Sequence, residues 1–164
     1  MTPASDTTTA AVTLRRARDD DRAFLIDLYG STRDEELSRV SWPEGQREAF
    51  VRMQFDAQDT DYRRRNPHGT FDVVEVDGRP AGRLYVDRRA GDIRIVDIAL
   101  RPEFRGSGVG TQLITSLMDE AASADGKLSV HVEVHNRAAA LYTRLGFVVT
   151  AEGEVHKRME WTAP

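Results

Sequence analysis

A glycine-rich loop between an apolar strand and an amphipathic helix limits, more than any other feature, what this chain can fold into. Residues 105–110 read Arg-Gly-Ser-Gly-Val-Gly, and the preceding residues 95–100 are apolar except for Asp97. Such an apolar run is typical of a strand buried on both faces at the centre of a sheet. After the loop, apolar residues recur at helical spacing, at Val109, Leu113, Ile114, Leu117, Met118, Ala121 and Ala122. With a further strand at residues 128–134, this order predicts two parallel strands joined by a crossover helix.

Patterns on either side of this unit predict further strands and helices. They are a strand at residues 12–17, a helix that starts at the acids 19–21, one or two helices over residues 46–65, a hairpin of residues 71–76 and 81–87, a short helix at residues 138–145, and last strands at residues 147–150 and 156–161. The turn of the hairpin is predicted at residues 77–80, Asp-Gly-Arg-Pro. Pro43 is compatible with a first helical position, and Gly146 with the end of the short helix.

Length and composition favour a single domain, which we place at residues 11–164. Residues 1–10 are small and polar and lack the basic start and apolar middle of a secretory signal, so we interpret them as a disordered leader of a cytoplasmic protein. No apolar run approaches the roughly 20 residues that span a bilayer, which excludes a membrane protein. The chain has no cysteine, which excludes an acyl-cysteine intermediate.

The charge of the chain argues against nucleic acid as a partner. The formal net charge is -4, which lacks the basic excess that neutralises phosphates. The three arginines at residues 63–65 are too short a run to change this, and we interpret them as the solvated end of a helix. The sequence leaves a homodimer open.

The glycine loop itself predicts an anion site. Backbone N–H groups converge where a helix begins, the helix dipole adds positive potential, and Arg105 adds a charge, so the site suits a pyrophosphate. A dinucleotide fingerprint would need glycine where Thr111 stands, and a Walker loop would need lysine after Gly110. A nucleophile elbow would need glycine two places before Ser107, where Arg105 stands. A glycine-rich turn without a ligand remains the alternative.

Two motifs resemble a known family. The first is Leu100-x-Pro102-x-x-Arg105-Gly106-x-Gly108-x-Gly110, and the second is Asn136-x-x-Ala139-x-x-Tyr142-x-x-x-Gly146-Phe147. In this order and at this separation they resemble the acetyl-CoA signature and the second motif of the GNAT superfamily of N-acetyltransferases, over about residues 93–150. The resemblance implies an α/β (α+β) fold: a mixed, twisted sheet of six to seven strands, flanked by about four helices, with a splayed parallel strand pair.

The same resemblance implies where acetyl-CoA would bind. Backbone amides of the loop would hold the pyrophosphate, at Arg105, Gly106, Ser107, Gly108, Val109, Gly110 and Thr111. Main-chain groups of Ile98, Ala99 and Leu100 would contact the pantetheine arm, which lies beside that strand like another strand. The strands around Ile98 and Val132 would splay apart to hold the thioester. Asn136 would hydrogen-bond the arm where it passes the next helix, near Ala139.

Direct acetyl transfer to an amine requires an acid and a base. The amine attacks only when neutral, so with a free pKa of about 10.4 it must lose a proton to a carboxylate or a water chain. Tyr142 resembles the family's general acid for the departing thiolate; a packed aromatic beside Leu141 is the alternative. Glu133 is the first candidate base, because some protein N-terminal acetyltransferases of the family use a glutamate there. Asp97 is the second, because an ionised carboxylate within an apolar strand needs a partner or a function.

Other functional interpretations remain open on the acceptor side. His131, Glu133 and His135 are spaced to share one strand face and could suggest a metal site. The resemblance implies no metal, and His135 follows the predicted strand at residues 128–134. In this family the first two helices usually wall the acceptor pocket, and the residues to consider there are Glu35, Glu36, Trp42, Phe55, Gln58 and Tyr62. The acceptor amine is not identified. The main alternative to an enzyme is a non-catalytic domain that binds acyl-CoA. A third hypothesis is an enzyme that transfers a longer acyl group.

Overall fold

The computed structural model describes residues 10–164, which form one seven-stranded sheet with helices on both faces. The strands are β1 (Val12–Arg16), β2 (Thr70–Val76), β3 (Arg79–Arg89), β4 (Asp92–Leu100), β5 (Lys127–Glu133), β6 (Val148–Glu152) and β7 (His156–Thr162). The α-helices are α1 (Arg22–Thr32), α2 (Asp34–Leu37), α3 (Gln46–Arg65), α4 (Val109–Ser123) and α5 (Ala138–Arg144). Short 3-10 turns occur at Asp19–Asp21 and Pro102–Phe104. The predicted leader lies, except for Ala10, outside the described residues.

The strand order in the sheet is β1-β2-β3-β4-β5-β7-β6, and only β4 and β5 run parallel. Their register pairs Asp92 with Lys127 and continues to Ile95 opposite Val130, where it stops. On its other side, β4 stays paired with β3 as far as Leu100 opposite Gly82. The register of β3 and β4 shifts by one residue at Val96, between the pairs Tyr85–Asp97 and Val86–Ile95. The two central strands therefore diverge beyond Ile95 and leave a gap in the sheet, as the motif resemblance implies.

Apolar side chains form a core on each face of the sheet. One core lies under α4 and α5 and includes Ile95, Leu113, Ile114, Leu128 and Val130. The other lies under α1 and α3 and is built from Leu25, Leu28, Tyr29, Leu37, Val51 and Phe55. The two cores fix the helices on either side of the gap between β4 and β5.

Several sequence predictions differ from the structure in detail. Residues 46–65 form one helix, and it begins after the positive-φ Gly45, so Pro43 lies before the helix and not at its first turn. The hairpin turn contains only Asp77 and Gly78, because β3 already begins at Arg79. A short α2 precedes α3, so the described residues hold five α-helices where about four were expected.

The burial of β4 also differs from the sequence prediction. The strand is central, but only Ile93 and Ile95 are fully buried, and residues 96–100 are half-buried. These five residues lie where β5 has moved away, so one edge of the strand has no neighbour. The apolar run of β4 was therefore correctly assigned to the sheet centre, and its second half lines the gap.

Candidate active site

The loop before α4 presents a row of backbone amides without acceptors. Within residues 10–164, the amides of residues 106–111 donate to no carbonyl or side chain, whereas Gln112 N–H donates to Gly108 O at 3.0 Å. Gly106 and Gly108 have φ angles of 72° and 88°, in the left-handed region that favours glycine. These six donors lie at the N-terminus of a 15-residue helix, where the helix dipole is positive. The geometry is that of an anion site.

Three hydrogen bonds, donated by Arg105 and Ser107, stabilise the shape of this loop. The Arg105 amide donates to Pro102 O at 3.2 Å, so it belongs to the preceding turn and not to the row of unpaired donors. The Arg105 guanidinium donates through Nε to Leu100 O at 3.0 Å, and Ser107 Oγ donates to Phe104 O at 2.5 Å. The Arg105 charge is therefore held beside the loop by its contact with the end of β4.

The edge of β4 that faces the gap carries main-chain groups of Ile98 and Leu100. Arg101 N–H donates to Ala81 O of β3 at 2.7 Å, and main-chain groups alternate in direction along a strand. Ala99 also faces β3, because a Cβ placed on Gly82 would meet the Ala99 carbonyl oxygen at 2.2 Å. Ile98 and Leu100 therefore point their main-chain groups toward the gap, and Ala99 does not.

Tyr142 lies on α5 with a buried ring. The ring contacts Phe147, with 5.1 Å between ring centroids. Its hydroxyl makes no hydrogen bond within residues 10–164, and the residue is only 2% exposed. Burial, followed by the negative charge of Asp97, raises the pKa of Tyr142 above its ordinary value. The side chain is therefore a protonated donor with no protein acceptor, and it lies close enough to Asp97 for the two to interact electrostatically.

The start of α5 is organised by Asn136. Its Oδ1 accepts from Ala138 N–H at 2.9 Å, and its carbonyl accepts from Ala139 N–H at 3.2 Å. This arrangement satisfies donors in the first turn of the helix and leaves the Asn136 amide group exposed. Asn136 is thus in place both to begin the helix and to donate outward.

Asp97 belongs to a partly buried network that the sequence did not predict. Its Oδ2 accepts from Tyr62 Oη at 2.7 Å and from Arg83 Nη2 at 2.8 Å. Arg83 also donates to Gln58 Oε1 at 2.8 Å, and its side chain is only 3% exposed. A buried charge in an otherwise apolar strand requires such a partner. Arg83 stands among apolar residues of β3, and this lone charge was the available signal.

Glu133 lies at the end of β5 and is more accessible than Asp97. Its side chain is 47% exposed, against 15% for Asp97. Arg33, at the end of α1, approaches Glu133 with 3.6 Å between Nη2 and Oε1 and also stacks over Tyr29. Glu133 therefore lies beside the C-terminal end of α1, at the end of β5.

The remaining predicted residues divide between the site and the scaffold. Gln58 and Tyr62 reach the Asp97 network, whereas Phe55 is a core residue and Trp42 donates to Leu37 O at 2.9 Å. No group of potential ligands suited to a metal occurs in residues 10–164, and His135 lies beyond β5. The arginines of residues 63–65 lie at the exposed end of α3, as predicted, and they pair there with Asp59 and Asp61.

The fold and this site define a class of acyltransferase. A splayed parallel strand pair, a loop of unpaired amides at a helix N-terminus and a buried tyrosine occur together. The Acetyltransferase (GNAT) family model matches residues 31–147, more than half of the chain. The chain belongs to this family of N-acetyltransferases.

Relatives and solved structures agree with this assignment. A Bacillus subtilis protein provisionally named as a ribosomal protein bS18-alanine N-acetyltransferase is 35% identical over 83 residues, which are 49% of this chain and 55% of that protein. An uncharacterized N-acetyltransferase of Methanocaldococcus jannaschii is 34% identical over 95 residues, 51% of this chain and 41% of that protein. The chain thus spans about half the length of the curated relatives it matches.

Two solved structures share the fold at low sequence identity. The PaiA N-acetyltransferase of Thermoplasma acidophilum, in complex with coenzyme A, has a TM-score of 0.69 at 16% identity, over 93% of this chain and 99% of that chain. An acetyltransferase of Thermus thermophilus has a TM-score of 0.68 at 17% identity, over 94% and 99% of the two chains.

Within residues 10–164, no helix combines the length and apolarity needed to cross a bilayer.

Proposed function

We propose that this chain transfers an acetyl group from acetyl-CoA directly to a primary amine while both substrates are bound. The observation that carries the proposal is the row of unpaired amides at residues 106–111, next to the open edge of β4. A diphosphate needs several converging donors, and these amides supply them without rearrangement of the loop. The absence of cysteine from the chain supports direct transfer, because no thiol is present to carry an acyl intermediate.

The binding roles divide along the site. The amides of residues 106–111 hold the diphosphate, and Arg105 adds positive charge beside them. Main-chain groups of Ile98 and Leu100 pair with the pantetheine amides as a neighbouring strand would. Asn136 donates from the opposite side of the gap. Acetyl-CoA supplies a thioester whose carbonyl carbon is open to attack.

Tyr142 acts as the general acid in the proposed reaction. The amine nitrogen bonds to the carbonyl carbon and gives up a proton to the base, and the carbon–sulfur bond breaks. The departing thiolate takes the Tyr142 proton, and solvent returns a proton to the tyrosine. Burial, followed by the Asp97 charge, raises the pKa of Tyr142, so the hydroxyl is protonated at neutral pH. The hydroxyl has no protein acceptor within residues 10–164, so its proton is available to a group in the gap.

Glu133 is the proposed base, directly or through one water. It is exposed at the end of β5, where an acceptor can reach it, and its Arg33 contact of 3.6 Å is loose. Asp97 accepts one hydrogen bond from the buried, charged Arg83 guanidinium and one from the half-buried Tyr62. Asp97 is accordingly assigned the role of stabilising the protonated form of Tyr142.

Calorimetry with matched glycine variants tests the binding step. Gly106 and Gly91 have nearly equal φ angles of 72° and 73°, and a Cβ at either meets no atom within 4 Å, so alanine strains both alike. The wild-type protein should bind acetyl-CoA, Gly106→Ala should bind at least tenfold more weakly, and Gly91→Ala should bind normally. No uptake by the wild type, or equal effects of the two variants, would contradict the proposed site.

Coenzyme A release with a panel of amines tests the transfer step. Acceptors should include free N-terminal peptides, lysine side-chain mimics and polyamines, with acetyl-CoA as donor. Release that requires an amine supports the proposed reaction. Tight binding of acetyl-CoA without turnover on any amine would instead favour a non-catalytic acyl-CoA-binding domain. A cytoplasmic location and a homodimer stay predictions from the sequence.

A further inference from the structure

One face of the sheet carries a cluster of charged side chains that the proposed reaction does not use. Along β5, Leu128, Val130 and Val132 enter the core under α4, so the alternating residues face the other side. We call this side, across β4, β5 and β7, the polar face; its residues include Asp92, Arg94, Ser129, His131, Arg158 and Glu160. Lys127 and His156 lie on the same side, at its two ends. Glu133 lies on the same side of β5, at the gap. The polar face therefore leads directly to the proposed base.

Arg94 is a charged residue of the polar face that has no carboxylate partner. Arg158 pairs with Asp92 at 3.1 Å and with Glu160 at 2.8 Å, and Arg89 pairs with Asp87 at 2.9 Å. The nearby carboxylates are thus already engaged by other arginines. Within residues 10–164, Arg94 forms no salt bridge.

Arg94 instead contacts a neutral partner. Its Nη2 lies 2.8 Å from Nδ1 of His131. Burial, followed by the charges of Arg94, Arg158 and His156, lowers the pKa of His131, which keeps the imidazole neutral near pH 7. The guanidinium therefore retains an uncompensated positive charge on an open surface, where an anionic group could bind it.

The distance between His131 and the proposed base Glu133 indicates how long a ligand that contacts both must be. His131 and Glu133 are two residues apart on one face of β5, which corresponds to about 7 Å. An extended peptide covers the same distance in two residues. A peptide whose amine lies at Glu133 would therefore bring the side chain of its third residue to Arg94.

Building on the proposed function, we infer that the acceptor is a polypeptide N-terminus with an acidic third residue, recognised by Arg94 and His131. An open, strand-lined surface suits an extended chain, and the unpaired guanidinium complements a carboxylate at this distance. Arg94 is a specificity-determining residue in this arrangement, and it takes no part in proton transfer. His131 supports the guanidinium through the 2.8 Å contact.

Acetylation of a peptide series tests the inference. The peptides share one sequence and carry aspartate, asparagine or lysine at position three, and kcat/KM is measured for each. The wild type should prefer aspartate to asparagine by about tenfold, the value of one charge-assisted hydrogen bond. Arg94→Gln should lose the preference, and Arg94→Glu should favour lysine. Arg64→Gln, an exposed arginine at the far end of α3, should keep the wild-type order.

The outcomes separate this inference from the proposed function. Equal acetylation of the three peptides would overturn the inference and leave the enzyme assignment intact. Preference for a small amino acid such as 6-aminohexanoate over every peptide would also overturn it. Binding of acetyl-CoA without acetylation of any amine would overturn both. Unchanged acetyl-CoA affinity in each Arg94 variant serves as the folding control.

Discussion

At the scale of single residues, Tyr142 provides the most direct test of the chemistry. Removal of its hydroxyl in Tyr142→Phe should lower kcat by roughly 100-fold, the lower end of the range for general acid catalysis, with acetyl-CoA affinity unchanged. Tyr85→Phe is the matched control, because that hydroxyl is also buried and is not proposed to contact substrate. Rates that do not change in Tyr142→Phe would remove Tyr142 from the mechanism.

The pH dependence of the Tyr142 effect follows from the direction of its pKa shift. Because burial and the Asp97 charge raise this pKa, the tyrosine keeps its proton up to at least about pH 10, its ordinary value. The ratio of wild-type to Tyr142→Phe kcat should therefore stay constant between about pH 6 and pH 9. A ratio that falls within this range would show that the tyrosine ionises early and would contradict the assigned environment.

Loss of charge at Glu133 should lower activity, whereas loss of charge at Asp97 should lower stability. Glu133 is half-exposed, so Glu133→Gln should lower kcat/KM by roughly 100-fold and leave the free energy of unfolding within about 0.5 kcal/mol. Asp97→Asn should destabilise the protein by about 3 kcal/mol, because it leaves the buried Arg83 charge unpaired. Urea unfolding and steady-state kinetics on both variants check this. A stable Asp97→Asn protein without activity would make Asp97 the base.

At the scale of secondary-structure elements, Asp21 connects β1 to the start of α1. Its two carboxylate oxygens accept from Arg15 at 2.8 Å each, and Oδ2 accepts from the Arg18 amide at 2.7 Å. The hydrogen bonds from Arg15 hold the pKa of Asp21 at about 2, below its ordinary 3.8. Stability from this group is therefore present above about pH 4 and is lost as the pH falls toward 2.

Asp21→Asn measures this contribution. Arg15 is 28% exposed, so water screens the pair and the expected loss is about 1 kcal/mol at pH 7, decreasing as the pH falls below 4. Asp20→Asn is the matched control, because Asp20 belongs to the same acidic run and is exposed. Urea midpoints at pH 7 and pH 3 provide the comparison. Equal losses for the two variants would contradict the role of the Asp21 contacts.

The sequence predicted elements well where local patterns determine them. The stripe from Val109 to Ala121 predicted α4, and the loop before it was correctly assigned to the start of that helix. The half-burial of residues 96–100 could not be predicted, because it depends on the divergence of β5, a partner far along the chain. Arg83 and Tyr62 were missed for a similar reason: their contact with Asp97 joins three separate elements.

At the scale of the whole molecule, the gap between β4 and β5 makes the protein locally incomplete without a ligand. Strands within a sheet normally pair their main-chain groups. Within residues 10–164, the edge of β4 beyond Ile95 has no partner strand, and the amides of residues 106–111 have no acceptor. Such amides exchange with solvent freely, whereas those of β2 and β3 lie between paired strands. Bound acetyl-CoA should therefore change protection only around the gap.

Hydrogen exchange followed by mass spectrometry measures this difference. Amide exchange in peptides that cover residues 96–111 should slow by at least tenfold with saturating acetyl-CoA. Exchange in peptides that cover β2 and β3 should change little. Acetyl-CoA at 100 times its Kd should also stabilise the folded state by about 2.7 kcal/mol, which raises Tm. Gly106→Ala should reduce both effects, because its strained loop no longer presents the amides together. Uniform protection across the sheet would instead indicate that the ligand stabilises the fold globally and does not complete a local gap.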